Sequence, residues 1–146
     1  MQANTRCPRI LWADDFPEMF EQADKWLRYD YEIVGLARDG AEALKLCLAL
    51  DPDILLLDLS MPILCGLEVA TRLKELDCRS KIVFVTGQKD PDYVEAAFSL
   101  GASGYVLKCR IGTDLLPAID AALNGSTFVS RFQASENWLR QPRHLL

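Results

Sequence analysis

The chain of 146 residues has the length of one domain. Half of its residues are hydrophobic, which is enough for a sizeable core. Its formal net charge of −5 disfavours direct binding of nucleic acid, since neutralising phosphates requires a basic face. No apolar run approaches the roughly 20 residues of a membrane span, and the N-terminus lacks the apolar core of a signal peptide. The five cysteines are scattered and there is a single histidine, which predicts reduced thiols in a cytoplasmic protein and no zinc site.

Short apolar runs alternate along the chain with stretches that have helical spacing. The apolar runs predict five strands, at 9–13, 31–37, 54–57, 81–86 and 105–107. Helices are predicted from residue 17 and over 41–50, 66–76, 91–100 and 114–124. The N-cap of the last helix is expected at Thr113 or Asp114, because Pro117 is tolerated only in a first turn. Strands that alternate with helices predict an α/β fold, a doubly wound parallel sheet covered on both faces.

Asp58 follows the most continuous apolar run of the chain. Four apolar residues, 54–57, precede it, which is typical of a strand buried on both faces. Pro62 cannot continue the strand, because proline has no N–H for the ladder. Asp58 is therefore predicted at the carboxyl end of a central strand, where open parallel sheets bind their ligands.

Polar residues also follow three other predicted strands. Asp14 and Asp15 come after the first strand, Thr86 ends the fourth and Lys108 follows the fifth. Because these ends meet along one edge of a doubly wound sheet, we expect the side chains to lie close to Asp58. Three neighbouring carboxylates repel one another unless a cation lies among them.

A magnesium ion fits this group of oxygen ligands. Asp14 and Asp15 would hold the ion, together with Asp58 itself. The backbone carbonyl of Ser60 is a candidate for a further protein ligand. The ion would keep several of its waters and take a phosphoryl oxygen.

The remaining residues suit phosphoryl transfer. Asp58, the central acid, is assigned as the nucleophile that forms an aspartyl phosphate. Lys108 would pair with the phosphoryl group, and the Thr86 hydroxyl would donate a hydrogen bond to it. Gly87 leaves room beside that hydroxyl.

Each of these residues also has a simpler interpretation. Asp14 and Asp15 could cap the following helix, Thr86 could serve only as a strand former, and Lys108 could be a solvated surface charge. A nucleotide-binding protein is disfavoured, since the first strand leads into two acids and not into a glycine-rich phosphate loop. The joint occurrence of all these residues at strand ends favours a site.

With these residues in place, the chain resembles the receiver domains of two-component response regulators, most closely the NarL/FixJ-like subgroup. The match covers residues 9 to about 130, and its motifs are Ala13-Asp14-Asp15, Asp58-Leu59-Ser60-Met61-Pro62 with Gly66, Val85-Thr86-Gly87, the run from Gly101 to Lys108, Val34-Gly35 with Asp39-Gly40, and the run from Gly125 to Ser130. The resemblance implies a flavodoxin-like sheet of five strands in the order 2-1-3-4-5.

The resemblance also implies a function. A sensor histidine kinase would donate a phosphoryl group to Asp58 with Mg²⁺, and Thr86 and Tyr105 would act as the switch, with Tyr105 rotating inward to remodel the surface. The protein would catalyse only its own phosphorylation and dephosphorylation, and it is not predicted to be an enzyme acting on other substrates. A two-fold homodimer is the default expectation.

The output is left open by the sequence. Subgroup members usually continue into a DNA-binding domain, but residues 126–146 are too few for one. We predict a receiver domain over 8–125 and a C-terminal tail over 126–146. The leading interpretation is the receiver of a transcription regulator. The alternatives are a stand-alone receiver that acts through protein contacts and a scaffold receiver that is never phosphorylated.

Overall fold

The computed structural model describes residues 7–131, which form alternating strands and helices. The strands are β1 (Arg9–Ala13), β2 (Glu32–Ala37), β3 (Ile54–Leu57), β4 (Lys81–Thr86), β5 (Gly104–Leu107) and β6 (Phe128–Val129). The helices are α1 (Pro17–Leu27), α2 (Gly40–Leu50), α3 (Gly66–Glu75), α4 (Pro91–Ser99) and α5 (Ile111–Leu123), with a 3₁₀ turn at Lys108–Arg110 before α5.

All strands of the described chain run parallel in one sheet of order β2-β1-β3-β4-β5-β6. The flavodoxin-like fold and the order of the first five strands are confirmed. The expected count of five is one strand short, because Phe128–Val129 pairs with β5 along its outer edge. A strand of two residues is too short to show a periodic pattern in the sequence. It forms because the outer edge of β5 offers backbone groups for Phe128 and Val129 to pair with. The sheet therefore continues past residue 125, where the sequence placed the domain limit.

Both faces of the sheet are covered by helices, as predicted. One face packs against buried residues of α2, α3 and α4, and the other against α1 and α5. All four residues of β3 are fully buried, as expected for a central strand with apolar cores on both sides. None of the helices in residues 7–131 is long and apolar enough to cross a membrane.

The predicted start of the last helix is wrong. α5 begins at Ile111, and Pro117 lies inside it and not in its first turn. An interior proline loses one backbone hydrogen bond and costs about 3 kcal/mol. The helix nevertheless buries a stripe of apolar side chains against the sheet, namely Ile111, Leu115, Ala118, Ile119 and Ala122. Burying several apolar side chains, at roughly 1.5–3 kcal/mol for each large one, outweighs that cost.

Candidate functional site

Asp14 and Asp58 lie one residue beyond neighbouring strands, where the order of the sheet reverses between β1 and β3. Each is held there by one more backbone hydrogen bond, from Asp14 N–H to the Ala37 carbonyl and from Asp58 N–H to the Ala13 carbonyl, both at 3.0 Å. Asp14 is fully buried and Asp58 is 4% exposed. The backbone therefore directs two carboxylates into a sheltered position at the carboxyl edge of the sheet.

Three carboxylates converge at this edge. Oxygens of Asp14, Asp15 and Asp58 all lie within 4.8 Å of one another. The structure thus brings together the three acids that the sequence predicts to lie together. A set of hard oxygen donors at this separation fits a hard divalent cation such as Mg²⁺.

Lys108 bridges two of these acids. Its Nζ lies 2.9 Å from Asp14 Oδ2 and 3.0 Å from Asp58 Oδ2. The ring of Phe16 lies on another side of the ammonium, with 5.5 Å between Nζ and the ring centroid. Lys108 is therefore a partly buried ion-pair partner of Asp14 and Asp58 and not a solvated surface charge.

One lysine does not compensate fully for the buried acids. Burial raises the pKa of the Asp58 carboxyl, and the positive charge of Lys108 only partly opposes this while the negative charge of Asp14 adds to it. Burial acts to lower the pKa of Lys108, but hydrogen bonding to Asp14 and the charge of Asp58 outweigh it and raise that pKa. The site retains an excess of negative charge that a cation would neutralise.

Backbone amides hold the remaining carboxylate oxygens. Phe16 N–H donates to Asp14 Oδ1 at 2.8 Å, and Ser60 N–H donates to Asp58 Oδ1 at 3.3 Å. Ser60 itself is exposed. These bonds orient both carboxylates so that their Oδ2 atoms face Lys108.

Gly66 lets the start of α3 approach the backbone of Asp58. Its N–H donates to the Leu59 carbonyl at 2.8 Å. A Cβ at residue 66 would lie 2.2 Å from the Asp58 carbonyl oxygen, which no side chain could accommodate. The position of Asp58 therefore depends on a glycine at the start of the next helix.

Thr86, Gln88 and Tyr105 form a second group at the same edge, on β4 and β5. The buried Thr86 accepts a hydrogen bond at Oγ1 from Gln88 N–H at 3.2 Å. The fully buried Tyr105 donates from its hydroxyl to the Gln88 carbonyl at 2.8 Å. Gly87 is exposed, and no atom lies within 4 Å of where its Cβ would be. Tyr105 is in the inward orientation here, so its rotation on phosphorylation stays a prediction.

The sequence analysis missed one buried polar group. Ser130 was assigned to the tail and Asp114 to a helix start, yet both are buried and their side chains are 2.6 Å apart. A serine two residues after a phenylalanine in an apparent tail gives no local indication of this contact. Only the pairing of β6 with β5 reveals it.

Comparison with known proteins places the chain among receivers. The profile of the response regulator receiver domain family matches residues 10–120. That match spans most of the chain and contains every residue of the acid cluster and Lys108. The protein belongs to the response regulator receiver family.

The chain is also similar in sequence to a response regulator and to a transcriptional regulatory protein. The chain is 34% identical to the Escherichia coli nitrate/nitrite response regulator protein NarL over 130 residues, which are 88% of this chain and 60% of NarL. It is 38% identical to the uncharacterised transcriptional regulatory protein YvfU of Bacillus subtilis over 104 residues, 71% of this chain and 52% of YvfU. The chain thus spans between half and about three fifths of these relatives.

Two solved structures that are similar to this fold are also response regulators. A two-component response regulator of the LuxR family from an Aurantimonas species superposes with a TM-score of 0.83 at 30% identity, covering 92% of this chain and 100% of that one. The receiver domain of the NarL response regulator from Mycobacterium tuberculosis superposes with a TM-score of 0.78, also at 30% identity, covering 82% and 98%. The chain is therefore similar to NarL- and LuxR-type receivers in both sequence and fold.

Proposed function

We propose that the protein is a phospho-acceptor receiver in which Asp58 accepts a phosphoryl group from a sensor histidine kinase. The observation that carries the proposal is the position of Lys108, whose Nζ lies within 3.0 Å of both Asp14 and Asp58. A cation held against two buried acids at a sheet edge is suited to neutralise an incoming phosphoryl group.

The transfer forms one bond and breaks one. An oxygen of the Asp58 carboxylate bonds to phosphorus as the phosphorus–nitrogen bond of the kinase phosphohistidine breaks, and the released imidazole nitrogen takes a proton from solvent. Lys108 pairs with the phosphoryl oxygens. The Thr86 hydroxyl donates to one of them, and the exposed Gly87 leaves the approach open. The protein catalyses only its own phosphorylation and, with water as the acceptor, its own dephosphorylation.

Mg²⁺ is the cation proposed for the acid cluster. Asp14, Asp15 and Asp58 would hold it through carboxylate oxygens, and Ser60 would contribute its backbone carbonyl. The ion supplies positive charge against the phosphoryl oxygens. Bound there, the ion would also offset the negative charge of Asp14, which adds to burial in raising the pKa of Asp58.

The proposed output is a change in the conformation of the receiver surface, which regulates transcription. The proposed location of the protein is the cytoplasm. Phosphorylation would act on Thr86 and, through Gln88, on the buried Tyr105 hydroxyl. The proposal of transcriptional output rests on the similarity to the response regulator NarL and the transcriptional regulatory protein YvfU. Nucleic acid is not expected to bind residues 8–125 themselves, and a homodimer stays the default expectation. A scaffold that is never phosphorylated is disfavoured, because the three acids lie together and Lys108 pairs with Asp14 and Asp58.

The test is phosphorylation by a small donor. The protein is incubated with acetyl phosphate and Mg²⁺, and its intact mass is measured. One phosphoryl group should be gained by the wild type and by Asp30→Asn, in which an exposed acid is changed, but not by Asp58→Asn or in EDTA. A folded wild type that gains nothing, or a gain that persists in Asp58→Asn, would contradict the proposal.

A further inference from the structure

Ser130 is a buried serine that follows β6 and bonds to β5. Its backbone N–H donates to the Tyr105 carbonyl at 2.8 Å. Its Oγ accepts a hydrogen bond from Leu107 N–H at 3.0 Å and donates to Asp114 Oδ2 at 2.6 Å. The side chain of Ser130 thus continues the ladder between β5 and β6 for one residue beyond the last strand pair.

Asp114 anchors this serine to the first turn of α5. Its carboxylate is 6% exposed and also accepts hydrogen bonds from Arg110 Nε at 2.9 Å and Thr113 Oγ1 at 3.0 Å. These donors lower the pKa of the Asp114 carboxyl although burial acts to raise it. The hydrogen-bonded group therefore fixes Ser130, the 3₁₀ turn and α5 relative to one another.

The group lies next to Lys108 in the chain. Leu107 immediately precedes Lys108 and is paired with Thr86 on the inner side of β5. On the outer side, its N–H has Ser130 Oγ as partner. If that hydroxyl were absent, a buried N–H would lose its partner and the backbone at 107–108 would have to move to recover one.

We propose that Ser130 is a positioning residue for Lys108. By holding Leu107 N–H and Asp114 together, it sets the backbone from which the Lys108 ammonium reaches Asp14 and Asp58. The same bonds couple the proposed phosphorylation site to residues 128–130 at the edge of the sheet. Because coupling of binding free energies is reciprocal, a change at these residues would alter the affinity of the site for a phosphoryl mimic, and binding of the mimic would act back on them by the same amount. This inference rests on the proposed function.

Ser130→Ala tests it, with Ser126→Ala as matched control. Ser126 is exposed in the same segment, and its backbone N–H donates to the Ala121 carbonyl at 2.8 Å, a bond that alanine keeps. The rate of phosphorylation by acetyl phosphate should fall about tenfold in Ser130→Ala, the size of effect expected from one lost buried hydrogen bond. Mg²⁺ affinity should stay within about twofold, because the acids are not altered. Ser126→Ala should behave as wild type.

A double-mutant cycle separates positioning from general support of the fold. The probe is beryllofluoride, a phosphoryl mimic, and its affinity in the presence of Mg²⁺ is measured. Ser130→Ala should weaken binding about tenfold in the wild-type background and cause no further loss in a Lys108→Ala background, since its effect passes through that lysine. Equal losses in both backgrounds would overturn the proposal and assign Ser130 a purely structural role.

The outcomes also distinguish the two proposals. A wild type that cannot be phosphorylated overturns both. A wild type that is phosphorylated, with Ser130→Ala reacting at the same rate, overturns only the positioning role. Should Ser130→Ala fail to fold by circular dichroism, Asp114→Asn takes its place in the same cycle, because it weakens the acceptor of the Ser130 hydroxyl while keeping the shape of the side chain.

Discussion

Lys108 and Asp58 form an ion pair with 3.0 Å between Nζ and Oδ2, and yet the pKa of the Asp58 carboxyl is raised. Burial and the neighbouring Asp14 charge together outweigh the attraction of one lysine. The Asp58 carboxylate therefore lies in an excess of negative charge, which favours the binding of a cation beside it.

Replacing Asp58 should therefore stabilise the metal-free protein. A carboxyl with a raised pKa favours its neutral form in the folded state, so at pH 7 its charge opposes folding. We expect Asp58→Asn to have a higher Tm than wild type in EDTA, measured by circular dichroism. Asp30→Asn, at an exposed position, should leave the Tm unchanged. A lower Tm for Asp58→Asn would show that the ion pair with Lys108 outweighs the repulsion.

The ionised carboxylate of Asp114, unlike that of Asp58, should stabilise the folded protein, and this stabilisation should depend on pH. Its pKa is lowered, so the stabilisation is fully present above its ordinary value of about 3.9 and is lost as the pH falls through the lowered value. We expect Asp114→Asn to reduce the free energy of unfolding at pH 7 by about 1.5–3 kcal/mol, the range for hydrogen bonds to a charged group. Urea titrations at several pH values should show that the difference in free energy of unfolding between Asp114→Asn and wild type becomes smaller only below about pH 4. A difference that is already absent at pH 6 would contradict this assignment.

Gly66→Ala should be strongly destabilising. The added Cβ would lie 2.2 Å from the Asp58 carbonyl oxygen and 2.9 Å from Leu59 Cα, both backbone atoms that cannot move aside cheaply. We expect a loss of about 3 kcal/mol or more in the free energy of unfolding, measured with urea. The control is Gly112→Ala in α5, where no atom lies within 4 Å of the new Cβ. It should gain about 0.5–1 kcal/mol, because glycine is a poor helix former. Equal effects at both positions would show that the α3 start tolerates a side chain.

Tyr105→Phe should separate stability from phosphorylation. The variant removes only the hydroxyl that donates to the Gln88 carbonyl at 2.8 Å. We expect a loss of about 1 kcal/mol in the free energy of unfolding, while intact mass still shows phosphorylation of Asp58. The control Tyr29→Phe changes a side chain that is 80% exposed and should be neutral. Loss of phosphorylation in Tyr105→Phe would mean that the hydroxyl is required at the reaction site itself.

Much of the fold could be predicted because its determinants are local. The run Ile54–Leu57 with Pro62 beyond it specifies a buried strand and its end without reference to the rest of the chain. The same holds for the position of Lys108 after β5. Once alternating strands and helices require a parallel sheet, the acids and this lysine must meet at one edge, and the structure shows that they do.

The start of α5 and the presence of β6 could not be predicted, because distant contacts decide them. α5 begins at Ile111 despite Pro117, since burial of its apolar stripe against the sheet exceeds the cost of an interior proline. β6 exists because the edge of β5 offers unpaired backbone groups to Phe128–Val129. Neither energy can be estimated from neighbouring residues alone.

The sequence by itself determined the parallel sheet, the acid cluster and the lysine that contacts it, because strand ends and turn residues are encoded within a few positions; the order of the strands was implied by the resemblance to receiver domains. Only the tertiary structure decided the partners of Ser130, Asp114 and Leu107. Their hydrogen bonds span 16 and 23 residues of chain, and a buried polar group is stable only where folding brings its partner to it.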